Sequence, residues 1–130
     1  MSYYFTTKLQ GSTFDQAVND VTAALKEEGF GVLTEIDVSQ TLKKKIDVDF
    51  KKYKILGACN PQFAHKALSN EDKIGVFLPC NVVVEEGENG AIEVSAVDPV
   101  ASMTSVKNEN LAGIAGEVQA KLKRVIASLN

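Results

Sequence analysis

The sequence predicts an α+β fold of two layers, with helices packed on one side of a sheet that is at least partly antiparallel. Three observations carry this. Two long segments, starting near residues 13 and 109, repeat apolar residues at helical spacing along a single face. Between them lie several short runs rich in β-branched and aromatic residues. The segment GENG, residues 87–90, joins two of these runs, and its Asn89-Gly90 pair is a tight-hairpin signal because both residues tolerate positive φ.

Residues 3–9 read as the first strand, broken by Gly11-Ser12. Thr13 and Gln16 have capping-box spacing, so a helix is expected from about residue 13. Phe14, Ala17, Val18, Val21, Ala24 and Leu25 form its apolar face, and Gly29 ends it as a left-handed residue. Residues 30–38 switch to period two, with Phe30, Val32, Ile36 and Val38 on one face and Glu35 and Asp37 on the other. Ser39 then caps a short helix carrying Leu42, Ile46 and Phe50. A strand follows at 53–59. Asn60 and Pro61 suit the N-cap and first position of a second short helix, because proline lacks the N–H that would have no helical partner there. That helix packs through Phe63, Ala64, Ala67 and Leu68. Residues 74–86 read as one long strand and 91–97 as its hairpin partner. Asp98-Pro99 ends the pairing, 99–107 reads as a loop, and the last helix runs from about 109 to 129.

The 130 residues favour a single domain over 1–130, and 45% apolar with 24% charged residues is ordinary for a globular chain. A formal net charge of −3 gives no reason to expect nucleic-acid binding. The basic run Lys43-Lys44-Lys45 is followed by Asp47 and Asp49 and reads as a solvated helix face. The N-terminal residues lack the basic start and apolar core of a signal peptide, and no apolar stretch approaches membrane-spanning length. The expectation is a cytoplasmic protein without a membrane partner, whose two cysteines are thiols.

Those cysteines, Cys59 and Cys80, are each followed by asparagine, in LGACNP and LPCNVVV. Cys59 falls at the start of the helix capped by Asn60, where open N–H groups and the helix dipole favour a thiolate. His65, the single histidine, lies one turn on and offers a base for a Cys–His pair. The bland alternative is that Cys59 is a small buried strand-end residue and His65 a solvated one. Cys80 follows Pro79, which gives no ladder hydrogen bond and so implies an edge or a bulge. Alternation puts Cys80 on the core face with Val76, Leu78, Val82 and Val84, and Asn81 on the other with Phe77 and Val83. The 21-residue separation matches no metal motif, so no metal is assigned to one chain, although two subunits could pool four thiolates. The carboxylates form no acid–base pair, and GFG at 29–31 lacks the rest of a phosphate loop.

The blocks GFGVLTEIDV, LGACNP, LPCNVVVEE and the later Asp98-Pro99 resemble, in this order, the bacterial and archaeal family called domain of unknown function 302. The resemblance implies a TATA-binding-protein-like arrangement: one strand, a helix, four strands and a final helix, here with two short extra helices. It also implies a homodimer. It supplies no activity and no cofactor, and His65 stands outside its motif. Both cysteines fall inside family blocks, which points to one neighbourhood formed by Cys59, Asn60, Cys80 and Asn81.

Two functional classes follow. The first is a non-catalytic homodimeric module that binds a small ligand, a metal ion or a protein partner near Cys59 and Cys80. The second is a thiol-dependent enzyme or redox sensor, with Cys59 as the reactive residue and Cys80 as its resolving partner. A third reading makes both cysteines architectural.

Overall fold

A computed structural model describes residues 2–130. Five strands, β1 (Tyr4–Leu9), β2 (Gly31–Asp37), β3 (Tyr53–Cys59), β4 (Cys80–Glu86) and β5 (Ile92–Val97), form one open sheet in the order β1-β5-β4-β3-β2. Every neighbouring pair is antiparallel. The long helices α1 (Phe14–Glu27) and α5 (Glu109–Ser128) cover one face. The shorter helices are α2 (Val38–Ile46), α3 (Pro61–Asn70) and α4 (Pro99–Ser102), with a 3₁₀ segment at Asp72–Phe77. The result is the two-layer α+β architecture, with strand, helix, four strands and helix in order.

The core follows from the amphipathic patterns. Phe14, Ala17, Val18, Val21 and Leu25 of α1 and Val118, Leu122, Val125 and Ile126 of α5 are buried against Leu56, Ala58, Val82, Val84, Ile92, Val94 and Ala96 of the sheet. Each fully buried leucine or valine among them contributes about 1.5–3 kcal/mol of transfer free energy. A smaller cluster of Ala67, Ile74 and Leu111 lies under α3 and the start of α5, with Leu78, Met103, Val106 and Ile114 packed on it.

Several local expectations need correction. Thr13 accepts from the Gln16 backbone N–H as expected, but the Gln16 side chain donates to Asp20 Oδ1 instead of reaching back. The strand β2 carries a bulge between Val32 and Thr34, with Leu33 as the extra residue. Val32 pairs with Ala58 on the helix-covered face. Beyond the bulge the parity flips: Glu35 and Asp37 pair with Leu56 and Lys54 on that face, and Ile36 turns to the open one with Ile55. The predicted single alternation from Phe30 to Val38 therefore fails after Leu33. Asp37, not Ser39, caps α2, accepting from Gln40 N–H at 3.0 Å and from the Ser39 hydroxyl at 2.8 Å. The helix stops at Ile46, before Phe50, with Asp47 left-handed at φ 54°.

The run read as a strand from residue 74 is a 3₁₀ segment as far as Phe77, and pairing begins only at Cys80. Ile74 is drawn into the smaller apolar cluster, while Val76 is 80% exposed, so the apolar run there reflects one anchor rather than two strand faces. Asp98 accepts from Val100 and Ala101 N–H and starts the helical turn α4 where a loop was expected. In the hairpin, Gly87 O accepts from Gly90 N–H and only Gly90 has positive φ, at 75°; Asn89 does not share it.

Candidate functional site

Where the two apolar clusters meet, the packing leaves a cavity of about 270 Å³. Its wall joins the end of β3 (Ala58 and Cys59), the start of α3 (Phe63, Ala64, Ala67 and Leu68) and the entry to β4 (Leu78, Pro79 and Cys80). The first half of α5 closes the far side with Leu111, Ile114, Ala115 and Val118. Leu33 and Leu68 are the exposed residues among those lining it, at 68% and 43%, and form its rim.

The local sequence explains why a void persists here. The Asn60-Pro61 pair turns the chain sharply out of β3 into α3, and Pro79 keeps β4 from starting before Cys80. The two segments diverge from the sheet and leave space between them. The bulge at Leu33 brings that side chain to the same end of the sheet. The approach nearby is close: a Cβ on Gly57 would overlap Thr34 Oγ1 and lie 2.8 Å from Pro79 Cγ.

Three of the four expected site residues come together. Cys59, Asn60 and Cys80 all line the cavity. Asn81 does not; it pairs with Gly57 on the opposite face of the sheet and is exposed, as its alternation with Cys80 requires. His65 is exposed on α3 and lies outside the lining, so no Cys–His pair forms in the cavity. Asn60 occupies the N-cap position but makes no side-chain cap; its Nδ2 donates to the Glu28 carbonyl at 3.4 Å. That bond ties the start of α3 to the end of α1. There Gly29 and Phe30 N–H donate to the Lys26 and Leu25 carbonyls, and Gly29 takes φ 86° as expected.

Both cysteines are free and partly buried. Burial pushes the Cys80 thiol up to about 11, and the neighbouring Cys59 adds to the rise. At neutral pH Cys80 is therefore a neutral thiol, apolar enough to belong to such a wall. Among the described residues no group of three or more His, Cys, Asp or Glu side chains is gathered to hold a metal ion. No described helix is long and apolar enough to cross a membrane. Met103 also lines the cavity, and nothing in the sequence points to it, because a single methionine in a stretch read as a loop carries no periodic signal.

A family model described as domain of unknown function DUF302 matches residues 5–129. The chain belongs to the DUF302 family. This DUF302 chain is also similar to the crystal structure of an uncharacterized conserved DUF302 protein from Bacillus stearothermophilus. The similarity covers 100% of both chains, at 28% identity and a TM-score of 0.91. No curated protein matches it. The DUF302 match spans every cavity-lining residue, from Phe30 to Val118, and includes the LGACNP and LPCNVVVEE blocks that carried the resemblance.

Proposed function

We propose that this DUF302 protein is a non-catalytic module that binds a small, mainly apolar ligand in the cavity beside Cys59 and Cys80. The carrying observation is the cavity itself: about 270 Å³, walled almost wholly by aliphatic and aromatic side chains, with Asn60 and the two thiols as its polar side-chain groups. An engineered apolar cavity of roughly 150 Å³ already admits benzene, so this one has room for a substituted ring or a short branched chain. Indole is a suitable probe. Its titration into labelled protein is expected to shift the amide signals of Phe63, Ala67, Leu111 and Ala115 together. Saturating indole that shifts none of them contradicts the reading.

We further read the functional unit as a homodimer formed through the sheet face opposite α1 and α5. The family resemblance implies a dimer, and this face supports one. It presents Ile36, Tyr53, Ile55, Val83, Tyr4 and Val97, with Tyr4 42% and Ile36 48% exposed. A two-fold pairing of such a face is self-complementary. Sedimentation equilibrium is expected to give twice the chain mass, and Val83→Asp to give the monomer. A wild-type chain that sediments as a monomer at all concentrations removes this part of the reading.

A further inference from the structure

We propose that Cys59 and Cys80 are a peroxide-oxidisable dithiol pair that closes an intrachain disulfide in the wall of the cavity. The strand register carries the inference. Cys80 lies directly opposite Ala58 in the β3–β4 ladder, so Cys59 is one residue further along β3. Opposed Cα atoms lie about 4.5–5.5 Å apart and a strand rises about 3.4 Å per residue, which sets the two cysteine Cα atoms about 6 Å apart. Disulfides span about 4.4–6.8 Å between Cα atoms.

Alternation along a continuous strand would send the two side chains to opposite faces. Cys59, however, is the last residue of β3, and the chain turns out of the sheet at Asn60. Both cysteines consequently line the same cavity. No amine, carboxylate or imidazole side chain is among the lining residues, so nothing there competes with Cys80 for an oxidised Cys59. The inference does not depend on whether the cavity takes a ligand.

The chemistry is asymmetric. Burial keeps Cys80 protonated, so the first attack is assigned to Cys59, at the strand end where the chain turns into α3. The Cys59 thiolate attacks one oxygen of hydrogen peroxide. The O–O bond breaks, the departing hydroxide takes up a proton as water, and Cys59 becomes a sulfenic acid. The Cys80 sulfur then attacks the Cys59 sulfur. The S–S bond forms, the S–O bond breaks, and hydroxide leaves as a second water with the Cys80 proton. Two thiols are oxidised to one disulfide as one peroxide is reduced to two waters.

The test is to treat reduced native protein with hydrogen peroxide, quench by alkylation, and locate the products by mass spectrometry. The expected result is loss of two hydrogens from the intact chain, paired loss of both alkylatable thiols, and a reducible cross-link between tryptic peptides 55–66 and 74–107. In Cys80→Ala the expected product is a Cys59 sulfenic acid trapped by dimedone. The proposal is overturned if both thiols stay alkylatable while free glutathione in the same tube is oxidised. It is equally overturned if Cys59 of the wild type runs to the sulfinic acid without a cross-link, or if the disulfide joins two chains.

Discussion

Burial and the neighbouring Cys59 hold the Cys80 thiol near 11, against an ordinary value of 9.0. Since the folded value lies above the unfolded one, the contribution to stability is complete below about pH 9 and is lost as pH climbs to about 11. Two units correspond to roughly 2–3 kcal/mol. Urea unfolding in the presence of reductant is expected to show the wild type losing stability relative to Cys80→Ala between about pH 8 and about pH 10.5. Equal pH slopes would show that Cys80 is not desolvated. Gly57 is a second informative residue. A methyl there meets Thr34 Oγ1 and Pro79 Cγ, so Gly57→Ala is expected to destabilise by about 1–3 kcal/mol, read from thermal or urea unfolding, with Thr34→Ala relieving part of it. The matching contexts of Cys59 and Cys80 pointed to one neighbourhood, and both line the same cavity. That Asn81 turns away was legible from strand alternation. Met103 was not, since its role arises only when α4 and α5 are packed.

At the scale of elements, α2 is the one with least tertiary support: none of its residues is buried. It depends on its cap. The Gln40 N–H holds the Asp37 carboxylate below its usual range, with the Ser39 hydroxyl and the Lys54 charge assisting against desolvation. That contribution is present above the unfolded value of Asp37 and fades as pH falls through the lower folded one. Asp37→Ala is expected to cost about 1 kcal/mol of helix stability. Hydrogen exchange should quicken over residues 38–46 while the sheet amides remain protected. Unchanged exchange there would show that α2 is held by something other than its cap. The long helices were legible because their apolar faces repeat over several turns. The β2 bulge and the 3₁₀ segment were not: one inserted residue, Leu33, inverts the parity of all that follow. An apolar run ending in Leu78-Pro79 offers no period to separate a strand from a turn. Asp98-Pro99 carries the same cap-plus-proline signal as Asn60-Pro61, but α4 is a single turn with no apolar repeat behind it, so the segment read as a loop.

At the scale of the molecule, a two-layer sandwich leaves two distinct features. One sheet face lacks a covering layer, and the junction between the main core and the smaller cluster is incompletely filled. The proposed dimer would cover the first, and the proposed ligand would occupy the second. Composition and element order were enough to read the architecture, but not the cavity, which exists only where α3, the entry to β4 and α5 converge. The most direct test of the ligand reading compares the wild type with Ala115→Leu, which adds three carbon atoms to the cavity wall. Indole titrations followed by amide shifts are the measurement. The account expects saturable binding by the wild type. It expects a large loss of affinity in a variant that is as stable as the wild type, or up to about 2 kcal/mol more so because a void has been filled. Undiminished indole binding by a folded Ala115→Leu, or none by the wild type, would contradict it.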